Sequence, residues 1–248
     1  MFFRWGLKSS RRRSEPLASS PCWSARLGFV TDSCWSKVTM VYQSRFATHE
    51  QKLAQAKMVM LQHNWRPEHH IQVQKLAGQL FEGLRPLHNM GDQEKLLLEA
   101  AALLHDIGWT ISGTKHHKHS VYLIRQSNLS LFSNRDLAII MNLVRYHRRG
   151  GPESSHRRFS ALTKTDQEIV KRLVAILRVA DGLDKSNEQL IHRLMVDIEP
   201  ETITCVLVSR DNCDRDIEGA MDKRELFEEV FQRQLAFRVE TPVPTQAA

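Results

Sequence analysis

The chain has 248 residues, of which 42% are hydrophobic, so it can bury a substantial core as one large domain or as a domain with a small appendage. No apolar stretch reaches the roughly 18 residues that a membrane-spanning helix requires, and we expect no membrane association. The four cysteines show no CxxC spacing and accompany no secretory segment, which argues against a zinc ribbon or a disulfide framework and favours a cytoplasmic protein.

The net charge of +7 is unevenly distributed along the chain. Residues 1–39 carry +5 of it, and residues 40–248 carry only +2. Because the folded part is nearly balanced and shows no basic stripe with interleaved aromatic residues, we do not expect nucleic-acid binding.

Residues 1–47 are predicted to form a tail. They are rich in Ser, Arg and Trp, and the composition changes near Met40. An Arg-rich, Ser-rich and acid-poor composition is typical of transit peptides, and Ser10-Arg11-Arg12 is similar to a twin-arginine signal, although no apolar segment follows. Two explanations stay open: organelle targeting, or a disordered tail with Met40 as the true start.

Residues 48–190 are predicted to form a helical domain. Apolar residues recur at steps of three and four over residues 67–88, 134–147 and 165–181, which indicates amphipathic helices. The segment 92–105 is apolar on nearly every face, which predicts a helix at the centre of a bundle. A shorter helix is predicted over residues 117–126, and the Gly- and Pro-containing residues 148–160 are predicted to form a loop.

Residues 191–248 are predicted to form a small α+β cap with a flexible C-terminal end. The β-branched runs at 194–198 and 202–208 flank Glu199-Pro200-Glu201, a pattern that predicts a hairpin. A helix over residues 216–233 and a strand over residues 235–239 follow. The sequence therefore predicts a mainly α fold, in which a helical bundle is followed by this cap.

Histidines and aspartates at or beside the predicted helix ends occur in an order that indicates a metal site. The core set is His69, His105, Asp106 and Asp181, and His119 with His147 extends it from one metal ion to two. Imidazoles and carboxylates hold divalent transition metals and leave room for an activated water. His70 stays open as an alternative to His69.

The pair His105-Asp106 follows a Leu-rich segment, where an unpaired buried polar group costs several kcal/mol. A shared metal ion satisfies both side chains. The alternative is that Asp106 caps a neighbouring backbone and His105 makes one structural hydrogen bond. For His119 and His147, the alternative is a solvated or capping histidine.

Several cations are close to the proposed ligands in sequence, namely Lys115, Lys118, Arg148, Arg149 and Arg178. Guanidinium and ammonium groups bind phosphate oxygens, although each of these residues taken alone also fits an ordinary solvated charge. We expect Asp106 to bridge two metal ions, and Lys118 or Arg148 to stabilise the charge that develops on a phosphate.

These motifs carry a resemblance to a known family. The order of His69, His105-Asp106 and Asp181 resembles the HD superfamily of metal-dependent phosphohydrolases, an all-helical fold. More narrowly, residues 48–239 resemble the C-terminal half of the exopolyphosphatase and guanosine pentaphosphate phosphohydrolase (Ppx/GppA) family. The segments that carry this second resemblance are His105-Asp106-Ile107-Gly108-Trp109, His116-His117-Lys118-His119-Ser120, Arg145-Tyr146-His147-Arg148 and Ala180-Asp181-Gly182-Leu183-Asp184.

The phosphatase activity of that family belongs to an N-terminal actin-like domain, which nothing before Thr48 could supply, so the resemblance does not carry over polyphosphate hydrolysis. It implies a free-standing HD domain. We expect a phosphohydrolase with one or two divalent ions (Mn, Fe, Ni, Co or Mg), whose metal-bound hydroxide attacks a phosphomonoester, a nucleotide or a polyphosphate-like substrate. The alternative is a non-catalytic regulatory or binding module for polyphosphate, an alarmone nucleotide or a partner protein. A homodimer also stays open.

Overall fold

The computed structural model describes residues 47–63, 66–148 and 150–241. The predicted tail over residues 1–47, apart from its last residue, and the C-terminal residues 242–248 lie outside this part. Among the described residues, no helix combines the length and the apolar character needed to span a membrane.

Helices dominate the described chain up to residue 182. They are α1 His49–His63, α2 Pro67–Gly83, α3 Arg85–His88, α4 Asp92–Leu104, α5 His116–Gln126, α6 Asn134–Tyr146, α7 Arg157–Ser160 and α8 Lys164–Gly182, and a 3₁₀ turn at Ile107–Thr110 joins α4 to α5. Local sequence explains two helix starts. The Ser133 hydroxyl accepts a hydrogen bond from the Asp136 N–H at α6, and the Thr163 hydroxyl accepts one from the Asp166 N–H at α8.

Helix α4 lies at the centre of the bundle, as its all-round apolar sequence predicts. It contacts α1, α2, α6 and α8, and its buried residues are Leu96, Leu97, Leu98, Ala100, Ala101, Ala102, Leu103 and Leu104. Because neighbouring helices cover α4 on several sides, His105 and Asp106 emerge from its C-terminal end inside the molecule rather than at its surface.

The cap contains a three-stranded sheet in the order β1-β2-β3. Strands β1 Ile191–Ile198 and β2 Thr202–Ser209 form the predicted hairpin, with Leu194 opposite Leu207. Helices α9 Asp214–Met221 and α10 Glu225–Phe231 then lead to β3 Gln234–Glu240, which pairs parallel to β2. The predicted mainly α fold with a small α+β cap is confirmed.

One predicted element of the cap is wrong. The single helix expected over residues 216–233 is interrupted between α9 and α10, at residues 222–224. The N–H groups of Lys223 and Arg224 donate to the carbonyls of Ala220 and Met221, three residues back, which tightens and ends α9. The Arg224 guanidinium also donates to the Met221 carbonyl. Hydrophobic periodicity does not register these terminal bonds.

The cap packs on the bundle through α2 and α8. The N–H of Leu194 in β1 donates to Gln79 Oε1 at 2.9 Å, and Gln72 Nε2 donates to the Ile191 carbonyl at 2.6 Å. Helix α8 contacts both α9 and α10. The turn after α9 therefore lies beside the C-terminal end of α8, where Asp181 is found. The division at residue 190 into a domain and a cap stays a prediction.

Candidate metal centre

Three helices bring the first group of candidate ligands together. His69 comes from the first turn of α2, His105 follows α4, and Asp181 lies in the last turn of α8. Asp181 Oδ1 is 3.5 Å from His69 Nε2 and 3.6 Å from His105 Nε2. Asp106 adds Oδ2 at 3.8 Å from His105 Nε2. His69, His105 and Asp106 each offer a ligand atom, and these atoms lie within 4.8 Å of one another.

A second group shares Asp106 with the first. Asp106 Oδ1 is 3.2 Å from His116 Nε2 and 3.3 Å from His147 Nε2. His116 is the first residue of α5, and His147 directly follows α6. Asp106 Oδ1 thus faces two imidazoles and Oδ2 faces a third, which is the geometry of a carboxylate that can bridge two metal ions.

The outward-facing nitrogen of each imidazole is tied to an acceptor oxygen. The Nδ1 atoms of His105, His147 and His116 lie 2.7, 2.8 and 3.1 Å from the carbonyl oxygens of Ala102, Val144 and Gly113. His69 Nδ1 lies 2.7 Å from Asp184 Oδ2. A carbonyl oxygen only accepts, so Nδ1 carries the proton, and in the neutral ring Nε2 presents its lone pair to the site. Metal-binding histidines are oriented in this way.

Around Asp106, lone pairs therefore face lone pairs in a buried place. His105 Nε2 and Asp106 Oδ1 are buried, and neither makes a hydrogen bond within the described residues. Unsatisfied buried acceptors that converge on a carboxylate are costly, and a cation between them removes that cost. A donor set of imidazole nitrogens and carboxylate oxygens fits a divalent transition metal.

The pKa values of these groups follow from their proximity. Burial alone would lower the pKa of His69, but hydrogen bonds with Asp181 and Asp184 outweigh it and raise the pKa to about 10. Burial would raise the pKa of Asp181, but Lys223, His105 and His69 hold it well below its usual range. The pKa of Asp106 is also lowered, because His105 and His147 outweigh its burial. Both aspartates are therefore carboxylates at neutral pH.

Two histidine assignments depend on helix geometry. His69, rather than His70, has its Nε2 beside Asp181. The ring of His70 is fully buried, and its centroid lies 5.0 Å from that of His105. His116 takes the place expected for His119, because α5 begins at residue 116 and its face with His116 and Ser120 meets the turn after Asp106. Within the described residues, His119 belongs to neither group of candidate ligands.

A cavity of about 680 Å³ opens between the bundle and the cap, and the candidate ligands form part of its wall. The cations that line it are Arg66, Arg148, Lys185 and Lys223. Lys223 follows α9 and contacts Asp181 Oδ2 at 2.5 Å. Arg148 lies at this cavity as expected.

Three other expected cations of the described chain, Lys115, Lys118 and Arg178, do not line this cavity, and Arg149 lies outside the described residues. Lys118 lines a separate cavity, because it points away from the α5 face that carries His116. The Arg178 guanidinium donates to the carbonyls of Tyr146 and Gly150, so it ties α8 to the end of α6.

The sequence interpretation missed three side chains at the site. Asp184 holds His69 and also accepts hydrogen bonds from the Gln189 backbone and side chain. The Trp109 indole N–H donates to Asp106 Oδ2 at 3.1 Å, and its ring stacks on His116 with centroids 4.9 Å apart. Asp184 follows Asp181 by three residues at a helix end, which is a signal that could have been used. Lys223 has no such signal.

Comparison with known proteins gives a family match and similarity to curated relatives, one of them from Vibrio campbellii. Residues 52–217 match the family described as Ppx/GppA phosphatase, domain III. The chain is also 33% identical over 130 residues to the guanosine-5'-triphosphate,3'-diphosphate pyrophosphatase of Vibrio campbellii (strain ATCC BAA-1116). That alignment covers 52% of this chain and 24% of the relative, so the chain spans about a quarter of the length of this curated relative.

Proposed function

Because the chain belongs to the Ppx/GppA phosphatase family, we propose that it is a metal-dependent phosphohydrolase of the HD type. The observation that carries this proposal is the convergence of four imidazole Nε2 atoms on Asp106 and Asp181, with Nδ1 of each ring tied to an acceptor behind it. Within the described residues, His105 Nε2 and Asp106 Oδ1 are buried without a hydrogen-bond partner, a cost that a bound cation would remove.

His69, His105, Asp106 and Asp181 would hold one divalent ion, and Asp106, His116 and His147 would hold a second. A bound divalent ion lowers the pKa of a coordinated water and polarises a phosphoryl group. The low pKa values of Asp106 and Asp181 suit them to bind metal as carboxylates rather than to donate protons. Asp184 and the carbonyls of Ala102, Val144 and Gly113 keep the four rings in the binding orientation.

Arg148 and Lys223 would bind a phosphate in the cavity. Both line it, and charge-assisted hydrogen bonds to phosphate oxygens are stronger than neutral ones. Lys223 contacts Asp181 Oδ2, so in this role it would bridge a candidate metal ligand and the substrate. Lys118, which lines a different cavity, has no part in this mechanism.

The proposed substrates carry a phosphomonoester or a phosphoanhydride, as in a nucleotide or a polyphosphate-like chain. The cavity of about 680 Å³ accommodates a ligand of nucleotide size. The relative in Vibrio campbellii is described as a pyrophosphatase of a guanosine polyphosphate, so such nucleotides belong in the first panel of substrates.

The test combines metal content, thermal stability and activity in the protein and in a His105→Ala/Asp106→Asn variant. The matched control is His192→Ala/Asp197→Asn, which changes the same residue types at exposed positions of β1. We expect Mn, Fe, Ni or Co in the protein and in the control, and none in the site variant. Phosphatase activity in the site variant should fall by more than the roughly 10–100-fold that loss of an outer-shell partner costs.

Thermal stability gives a readout that does not depend on activity. A ligand at 100 times its Kd stabilises the folded state by about 2.7 kcal/mol, which raises Tm by roughly 5–11 °C in a domain of this size. The protein and the control should show this rise with the cognate ion, and the site variant should not. Metal binding without turnover on any phosphorylated compound would favour the regulatory module, and absence of metal binding would overturn the proposal.

A further inference from the structure

A second cavity, of about 330 Å³, lies at the outer side of α5 and α6. We call it the outer basic cavity, and its lining residues are Lys118, Val121, Arg145, Tyr146, His156, Arg157 and Arg158. It shares no lining residue with the cavity of the candidate metal centre. Its four cations come from α5, the last turn of α6, and α7, so the fold rather than a local charge run brings them together.

Among the residues that the structure describes, no carboxylate lines the outer basic cavity. Another surface cavity, beside α2 and β1, has both cations and carboxylates in its wall. Its cations are Lys75, Lys95 and Arg193, and its carboxylates are Glu82 and Glu99. Lys95 pairs with Glu82 at 2.8 Å. The acidic residue Glu153 on the adjoining loop accepts a hydrogen bond from Ser155, 3.1 Å away. Within the described residues, none of the four cations of the outer basic cavity forms an ion pair.

The base of the outer basic cavity is held by aromatic packing. The Tyr146 and His156 rings stack with centroids 5.5 Å apart, and Tyr146 also meets Phe159 edge to face at 6.3 Å. Tyr146 is buried, and its carbonyl accepts a hydrogen bond from Arg178 at 2.8 Å. These contacts fix α7 against the end of α6, and thus the spacing of Arg157 and Arg158 from Arg145.

Like charges held together without a counter-charge lower the stability of the fold, and a bound anion reverses that effect. Guanidinium groups bind phosphate through paired hydrogen bonds, and three of the four cations are arginines. A cavity near 330 Å³ is at the small end of ligand sites, which fits a compact group rather than a long chain. We propose that the outer basic cavity is a second anion-binding site, which takes a compact ligand with two or three linked phosphate groups.

The experiment measures binding of inorganic tripolyphosphate by calorimetry to the chain with metal removed by dialysis against chelator. The test variant is Arg157→Gln/Arg158→Gln, and the matched control is Arg210→Gln/Arg215→Gln, which removes two exposed arginines from the cap. We expect at least tenfold weaker binding in the test variant and an unchanged affinity in the control. The variant Lys118→Gln/Arg145→Gln, which removes the cations contributed by α5 and α6, should show the same loss of affinity.

Three results would overturn the proposal: the test variant binds as tightly as the unchanged chain, the control loses as much affinity as the test variant, or a short RNA duplex binds more tightly than tripolyphosphate through the same arginines. The His105→Ala/Asp106→Asn variant should keep the binding. A failure of the anion-binding proposal can therefore be distinguished from a failure of the metal-dependent function, because the first is measured by binding and the second by hydrolysis.

Discussion

At the scale of single residues, the second coordination sphere distinguishes this site from a chance cluster of histidines. Each of the four imidazoles has a named acceptor behind Nδ1, and two of those acceptors are carbonyls in the last turn of a helix, Ala102 in α4 and Val144 in α6. Such carbonyls lack a partner within their own helix or turn, so they are free to orient a neighbouring ring. The C-terminal ends of α4 and α6 are therefore followed by the candidate ligands His105 and His147 and also contain the carbonyls that orient their rings.

The sequence was sufficient for residues whose neighbours carry the signal. His105 and Asp106 follow a Leu-rich helix, and a polar pair there predicts a partner. The sequence did not show which of His116 and His119 is the candidate ligand, because both lie in one His-rich run and the choice depends on where α5 begins. Lys115, with φ 58°, precedes the first turn and fixes that start, and a left-handed lysine is not readable from composition.

The assignment of His116, rather than His119, as a candidate ligand can be tested by two substitutions. His116→Ala should remove the second metal equivalent and lower the phosphatase activity by about tenfold or more, since His116 Nε2 lies 3.2 Å from Asp106 Oδ1. His119→Ala, one turn further along α5, should keep both metal content and activity. Elemental analysis and initial rates of the two variants decide the matter. If His119→Ala loses metal and His116→Ala keeps it, the second group of ligands is assigned incorrectly.

At the scale of elements, the site depends on how closely α9 approaches the end of α8. A methyl group added at Gly182 would lie 2.5 Å from Ala220 Cα, and one added at Gly219 would lie 2.5 Å from the Gly182 carbonyl oxygen. The contacting atoms are backbone, so no side-chain rotation relieves them. Two glycines therefore permit the approach that brings Lys223 to Asp181.

The break between α9 and α10 belongs to the same arrangement. The amphipathic pattern predicted a continuous helix over residues 216–233, and the apolar residues of both halves do contact the bundle through α8. A continuous helix would remove the turn that carries Lys223. The long helices of the bundle and the hairpin were thus predictable from periodicity, whereas the short helix α7 lies inside the predicted loop over residues 148–160. The turn that completes the cavity is set by the terminal hydrogen bonds of α9.

Substitution of these glycines tests this element-scale argument. Gly182→Ala should destabilise the fold by about 1–3 kcal/mol through overpacking, and it should raise KM as Lys223 moves from the cavity. Gly151→Ala is the matched control, because an added methyl group there meets nothing within 4 Å among the described residues. Urea unfolding and steady-state kinetics provide the measurements. Equal stability and equal KM for both variants would contradict a close backbone contact at Gly182.

At the scale of the whole molecule, the candidate ligands come from or follow helices α2, α4, α5, α6 and α8, which are spread over more than a hundred residues of chain. A metal ion would therefore connect most of the bundle. Every candidate ligand lies within residues 52–217, the segment that matches Ppx/GppA phosphatase, domain III. The candidate centre is complete within the bundle, and the cap adds Lys223.

Buried neutral histidines make the stability of the whole molecule depend on pH. His88 packs at the end of α3, where its Nε2–H donates to the Phe81 carbonyl at 2.8 Å and its Nδ1 accepts from the Met90 N–H at 2.9 Å. Protonation of Nδ1 would break the second bond, and burial lowers the pKa of His88 below its usual value of 6.5. The unfolded chain then binds the proton first as pH falls. The stabilising contribution is complete above pH 6.5 and is lost progressively below it.

We therefore expect His88 to lower the free energy of unfolding of the metal-free protein between pH 8 and pH 5. His88→Gln cannot take up a proton at this position, so the change in this free energy from pH 8 to pH 5 should be less destabilising in the variant than in the unchanged protein. His192→Gln, at an exposed position in β1, should follow the unchanged protein over the same interval. Urea unfolding monitored by circular dichroism at both pH values gives the comparison. Each variant is judged by its own difference between the two pH values, so a uniform loss of stability from the substitution cancels. A His88→Gln variant with the full pH dependence would show that His88 titrates alike in the folded and unfolded chains, and the neutral, doubly hydrogen-bonded ring would then be excluded.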